Sequence, residues 1–246
     1  MAKKEKKVKE SIYYVPKHQP FYKFIRLLMP LIFKKPKKII NMAGDLNGKG
    51  LIVCNHSAKS GPPALTTHFP VPTAQVGAYE MLGDYKTRRA YLHDVLYIKK
   101  LGKKPGLGTS IKCSIMARLS LKMYRGMRII PSFPDNRFKK TLRYTEQVLN
   151  EDTPIIIYPE NSNEGYKEVL TEFFPGFVMI AENYYRKTGI DIPVYPTYYS
   201  LKKRIMVINK PLYVQDLIKQ GLNREQIAEK FRLEVNQLYY DYVEKE

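Results

Sequence analysis

The chain has 246 residues, and 44% of them are hydrophobic, which is enough for one large domain with a buried core. Its 42 lysine and arginine residues, against 23 aspartate and glutamate residues, give a net charge of +19. Such an excess predicts an anionic partner: phospholipid headgroups, nucleic acid or a phosphorylated small molecule. The two cysteines form neither a disulfide framework nor a metal-ligand spacing, and no metal is expected.

The N-terminal part of the chain combines lysines with a short apolar segment. Residues 1–19 are predicted to form a solvated basic tail, and residues 21–33 have a helical pattern. This segment is shorter than the roughly 20 apolar residues that cross a bilayer, and a lysine cluster at 34–38 follows it. An apolar helix with basic flanks is typical of the membrane interface. We therefore expect residues 20–40 to form an amphipathic membrane-interface segment, with the protein peripheral on the cytoplasmic face of the cell membrane. The alternative is a helix that only covers the domain core.

Strands and helices alternate over residues 41–246, which predicts a single α/β domain with a mostly parallel central sheet flanked by helices. Strands are expected at residues 38–42, 51–55, 74–78, 127–131, 154–158, 192–199 and 204–208. Helices are expected from residue 61, over much of 79–125 with a break at 102–108, at 138–149, at 175–187 and from 223 onward. We expect Asp135 or Asn136 to cap the helix at 138–149, and Asn223 with Gln226 to open the last helix.

Two polar segments follow predicted strands, at residues 55–57 and 158–163. In a parallel sheet, functional loops lie at the carboxyl ends of the strands, so both segments are candidates for one site. Residues 55–62, 126–131, 158–163 and 192–196 together resemble, in this order, the four motifs of the glycerolipid acyltransferases, the family that includes the lysophosphatidic acid acyltransferases. The resemblance implies a glycerol-3-phosphate acyltransferase-like fold. It also implies transfer of a fatty acyl chain from acyl-CoA or acyl-carrier protein to a lysophospholipid or related glycerolipid hydroxyl.

The resemblance assigns roles to individual residues. His56 would be the general base that removes a proton from the acceptor hydroxyl. Asn55 would frame the turn, and Glu160 would line the acceptor site. The candidates for substrate binding are Arg128, Arg137, Ser57, Asn161, Ser162 and Asn163. No cofactor is expected, because the acyl donor is itself a substrate; the expected partners are that donor, the glycerolipid acceptor and an anionic membrane surface.

One position departs from the family pattern: Gly61 stands where the family has an aspartate that orients the histidine. Another acceptor would then have to orient His56, and Ser60, Glu160, Asp84, Glu80 or a backbone carbonyl are candidates. The alternative interpretation is a catalytically silent protein of the same fold that binds lipid or acyl chains at the membrane. A gain of activity in Gly61→Asp is expected to separate an impaired enzyme from such a protein. A nucleic-acid-binding protein is a more distant alternative, since the sequence contains no pattern of a known binding module.

Overall fold

A central β-sheet organises the molecule in the computed structural model, which describes Val15, Lys17 and residues 20–57, 60–161 and 165–246. The described residues form one eight-stranded sheet. Its strands are β1 (Lys38–Asn41), β2 (Leu51–Cys54), β3 (Ala74–Ala78), β4 (Ile129–Ser132), β5 (Ile155–Ile157), β6 (Pro193–Ser200), β7 (Ile205–Ile208) and β8 (Leu212–Tyr213). Apart from Val15 and Lys17, the predicted basic tail lies outside the described residues.

Helices connect and cover these strands. They are α1 (Pro20–Ile32), α2 (Gly61–His68), α3 (Tyr85–Ala90), α4 (Leu107–Gly126), α5 (Phe138–Leu149), α6 (Gly176–Thr188), α7 (Val214–Lys219) and α8 (Arg224–Tyr242), with a 3₁₀ turn at Tyr79–Leu82 and a π-helix at Tyr91–Lys100. Within the described part of the chain, no helix is both long and apolar enough to cross a bilayer.

The sheet is mostly parallel, as predicted. Its order is β1-β7-β6-β2-β5-β3-β4, and the five strands from β6 to β4 run parallel to one another. β7 pairs antiparallel with β6 and parallel with β1, while β8 pairs antiparallel with the start of β6. The carboxyl ends of β2, β5, β3 and β4 therefore lie along one edge.

The central strands are buried on both faces because helices cover each side. Along β2, Leu51 and Val53 join one hydrophobic cluster, whereas Ile52 and Cys54 join the cluster on the opposite face. The first cluster includes residues of α5, α6 and α8, and the second includes α2. The helical segment at residues 79–126 has a smaller core of its own, which contains Met81, Leu92, Tyr97, Cys113 and Ala117.

Two local predictions were wrong, and two short elements were missed. β4 begins at Ile129, because Arg128 takes a left-handed φ of 56° and ends the preceding turn. Neither Asp135 nor Asn136 caps α5: the carboxylate of Asp135 accepts from the backbone N–H of Arg137, which precedes the first helical residue. The short elements β8 and α7 were not predicted at all. In contrast, the capping box of Asn223 and Gln226 at the start of α8 is present as predicted.

Candidate functional site

His56 lies at the carboxyl edge of the sheet, two residues beyond β2. β5 is the parallel neighbour of β2, with Val53 in register with Ile157, so the loop after β5 lies beside the loop of His56. The half-buried imidazole stacks on the ring of Tyr166, with centroids 4.7 Å apart and planes at 28°. The ring of Tyr158 is tilted against the imidazole, and the centroids of the two rings are 5.0 Å apart. The two predicted polar segments therefore meet at one site.

Asn55 and Ser57 attach the loop of His56 to the end of β6. The buried Asn55 amide donates to the carbonyl oxygen of Tyr199 at 3.0 Å and accepts from the N–H of Tyr199 at 2.8 Å. Ser57 has a φ of 46°, and its hydroxyl accepts from the N–H of Leu201 at 3.0 Å. Both side chains thus bond the protein backbone and fix the position of the histidine.

Glu160 is buried and carries its carboxylate to the same loop. It accepts a hydrogen bond from the backbone N–H of His56. Its Oε1 atom has no hydrogen-bond partner among the described residues. Burial raises the pKa of Glu160 to about 7, although the N–H of His56 and the charge of Lys100 act in the opposite direction. The carboxyl group therefore changes its protonation state near neutral pH.

The other predicted residues of this loop contribute less to the described site. The side-chain amide of Asn161 donates to the carboxylate of Glu172 at 2.6 Å, and its backbone N–H bonds the carbonyl of the same residue. These contacts close the loop upon itself. Ser162 and Asn163 lie outside the described residues.

The two predicted arginines lie away from His56. Arg128 precedes β4 and therefore lies at the amino edge of the sheet, opposite the edge of the site. Its buried guanidinium pairs with Glu151 at 2.8 Å, so the structure does not bring it to the site. Arg137 follows β4 on the same edge as His56, but β5 and β3 separate β4 from β2. Its guanidinium pairs with Asp135 and holds the pKa of that carboxyl at about 2.

A cavity of about 510 Å³ opens beside His56. Its volume lies within the roughly 300–1,000 Å³ of ligand pockets. Most of its wall is apolar, supplied by the carboxyl end of β3, the π-helix and α4, with the inner side of α1. Methionines of α1 and α4, Met29, Met116 and Met123, are part of this wall. Flexible thioether side chains adapt to apolar ligands of varying shape. The cavity is suited to an apolar chain whose reactive end lies at the histidine.

Lys100 and Tyr166 belong to the site but were not predicted. Lys100 ends the π-helix and lines the cavity with His56, and its charge acts on Glu160. Burial lowers the pKa of Lys100, while Glu160 raises it. Nothing in the sequence distinguishes this lysine from its neighbours, since it lies 60 residues from Glu160. Tyr166 is one of 20 tyrosines, and no motif marks it.

The packing of this site requires a glycine at position 61. A Cβ atom at this position would lie 1.9 Å from the carbonyl oxygen of His56. An aspartate therefore does not fit there unless the loop moves. Among the candidates to orient the imidazole, Glu160 bonds the backbone of His56, Asp84 caps α3 through the N–H of Thr87, and Ser60 lines the cavity.

Among the described residues, no cluster of three or more histidine, cysteine, aspartate or glutamate side chains could hold a metal ion. No protein-family model and no curated protein matches the chain. Among solved structures, the chain is similar to the 1-acyl-sn-glycerophosphate (LPA) acyltransferase PlsC from Thermotoga maritima, at 11% identity and a TM-score of 0.49. The match covers 90% of this chain and 78% of the other. A similarity at this level assigns neither a family nor a reaction.

Proposed function

We propose that the protein transfers a fatty acyl chain from an acyl thioester to a hydroxyl of a lysophospholipid or related glycerolipid. The observation that carries this proposal is the apolar cavity of about 510 Å³ with His56 on its wall and the buried Glu160 beside it. The cavity suits the acyl chain. The polar edge suits the acceptor, so the two reactants would meet at the imidazole.

In the proposed reaction, His56 acts as the general base. Its imidazole takes the proton of the acceptor hydroxyl, and the hydroxyl oxygen attacks the thioester carbonyl carbon. The tetrahedral intermediate then collapses with cleavage of the C–S bond, and the thiolate leaves with the proton from the imidazolium. Acyl-CoA or acyl-carrier protein would supply the thioester, and no further cofactor is needed.

Glu160 and Lys100 would bind the acceptor. Oε1 of Glu160, which has no partner within the described part of the chain, can accept from a second hydroxyl of a glycerol acceptor or, when protonated, donate to it. Lys100 would attract the phosphate of the acceptor, since the predicted substrate-binding residue Arg128 lies away from the site. A half-buried cation exerts a stronger attraction than a fully solvated one, because water screens it less.

In this proposal the protein acts at the cell membrane, on its cytoplasmic face. The outer side of α1 supports the location at a membrane, since Phe24, Leu27 and Leu31 are exposed there and Lys34 and Lys35 follow. An apolar surface beside lysines favours binding to anionic lipid.

The test is acyl transfer to lysophosphatidate by the purified protein, with acyl-CoA and acyl-carrier protein thioesters as alternative donors. We expect His56→Ala to lower the rate by about 10²–10⁴-fold, the usual contribution of general base catalysis. His93→Ala is the matched control, because His93 is half-buried in the π-helix and pairs with Asp94. Equal rates for His56→Ala and the wild-type protein, with both folded, would eliminate His56 as the base.

A catalytically silent lipid-binding protein is the second candidate, and the closed space at Gly61 favours it. The family's orienting aspartate has no equivalent there. Uptake of a fluorescent fatty acid into the cavity, without transfer from either donor, would support this candidate over the enzyme.

A further inference from the structure

The outer side of α4 carries a row of exposed apolar side chains. Leu107, Ile111, Ile115 and Leu119 recur every four residues, so they lie along one side of the helix. Their exposed fractions are 79%, 52%, 53% and 60%. An exposed apolar row of this length marks an interaction surface. The sequence had suggested such a surface for α1 alone.

α4 packs against α1, which has exposed apolar residues of its own. The cavity lies directly beneath the two helices. Met29 of α1 lines it from within, and Leu119 of α4 both lines the cavity and belongs to the exposed row. The apolar surface of the two helices therefore continues into the apolar wall of the cavity.

The charges on α4 identify the chemistry of the partner. The helix contains Lys112, Arg118, Lys122 and Arg125 and no acidic residue. Arg118 and Lys122 follow Ile115 and Leu119 by three residues, so they lie on the apolar side of the helix. Long basic side chains there can extend to headgroups while their stems stay in the apolar layer. A second copy of a chain with a net charge of +19 would be repelled, whereas an anionic bilayer is attracted.

We propose that α4 and α1 form one docking face for an anionic bilayer, and that this face sets the cavity against the acyl layer. The proposal extends the proposed function, in which the acceptor is a lipid, but docking itself requires no turnover. α4 would be a main contact with the membrane, and the cavity would open toward the bilayer beside Leu119.

The test is flotation with phosphatidylcholine vesicles that contain phosphatidylglycerol. We expect the double variant Ile111→Glu/Ile115→Glu to bind at least about tenfold more weakly, because two apolar side chains are lost from the interface and two negative charges face the lipid. Glutamate is a good helix former, so α4 should persist, and circular dichroism checks this. Leu233→Glu on α8 is the matched control, since Leu233 is 54% exposed, and it should float like the wild-type protein.

Equal flotation of the folded double variant and the wild-type protein would overturn the proposal. The proposal would also be overturned if the wild-type protein is a dimer, the double variant is a monomer and both float equally. A second copy of the chain would then occupy the face. Transfer between short-chain, monomeric substrates separates docking from chemistry. The double variant should keep this activity, and loss of it with unchanged flotation would assign α4 to the site instead. If the wild-type protein floats, the double variant does not, and neither transfers an acyl chain, docking stands and the proposed function fails.

Discussion

At the residue scale, backbone contacts hold His56 in place. The amide of Asn55 joins both backbone groups of Tyr199, and the carboxylate of Glu160 accepts the N–H of His56 itself. The carbonyl of His56 lies against Gly61, where it leaves no space for a side chain. The conformation of the loop that carries His56 is therefore set by the contacts of Asn55, Glu160 and Gly61, which a comparison of motifs does not reveal.

Substitution of Gly61 tests this directly. We expect Gly61→Asp and Gly61→Ala to destabilise the fold by roughly 1–3 kcal/mol, as overpacking usually does, and neither to raise acyl transfer. The measurement is urea unfolding together with the transfer rate. Gly108→Ala is the control, because a Cβ there would meet no described atom within 4 Å beyond its chain neighbours and the backbone of its own helix, and alanine favours the helix. A large gain of activity in Gly61→Asp would show instead that the loop moves to admit the missing acid.

The raised pKa of Glu160 predicts how the free energy of unfolding depends on pH. Burial raises its pKa to about 7 in the folded state from an ordinary 4.5. The folded protein thus binds more protons than the unfolded chain between these values, and the free energy of unfolding must fall as the pH rises through this window. The full shift corresponds to at most roughly 3 kcal/mol.

Glu160→Gln removes the titrating group, so the variant should lose this pH dependence and be more stable than the wild-type protein above about pH 7. Urea unfolding from about pH 5 to about pH 8 measures the effect. Glu229→Gln is the control, because the hydrogen bond from Arg232 lowers the pKa of Glu229. This carboxyl group is ionised throughout the measured range, so the control should keep the pH dependence of the wild-type protein. Parallel stability curves for Glu160→Gln and the wild-type protein would contradict the raised pKa.

At the element scale, the sequence predicted what local patterns determine. Short apolar runs gave β2 and β5, helical spacing gave α5, and the Asn223 capping box gave the start of α8. The π-helix could not be predicted this way. Among its cavity-lining residues Tyr91 and Leu96 are five apart, but Leu92, Leu96 and Lys100 recur every four residues, so the pattern predicts a helix without its type. Arg128 was misplaced because a basic residue beside a strand does not reveal which edge of the sheet it occupies.

Lys100, the last residue of the π-helix, would bind the phosphate of the acceptor. We expect Lys100→Met to raise the KM for a phosphate-bearing acceptor by about tenfold or more, the effect of losing one charge-assisted contact of 1.5–3 kcal/mol. It should leave the KM for the acyl donor little changed. Because the charge of Lys100 lowers the pKa of Glu160, that pKa should rise further in the variant. Steady-state kinetics over a pH series measures both effects. Lys99→Met is the control, since Lys99 is exposed and does not line the cavity.

At the scale of the whole molecule, a net charge of +19 is compatible with nucleic acid as well as with membrane, and salt separates the two. The screening length falls from about 10 Å at 0.1 M salt to about 3 Å at 1 M. Binding to nucleic acid depends on phosphate contacts, so its affinity should collapse over this range. Binding to anionic vesicles should fall only to the level measured with neutral vesicles, because the apolar rows of α1 and α4 still enter the lipid.

The Ile111→Glu/Ile115→Glu variant measures how much the apolar row of α4 contributes to vesicle binding. At low salt it should retain weak binding to anionic vesicles through the remaining positive charge, and at high salt it should float less than the wild-type protein, because the apolar contact of α4 is reduced. The wild-type protein should still float at high salt, because apolar burial is not screened. Flotation of both proteins across the salt series, with neutral vesicles and a single-stranded RNA as comparisons, measures the difference. If high salt releases the wild-type protein completely, electrostatics alone holds it to lipid, and the exposed rows do not enter the bilayer.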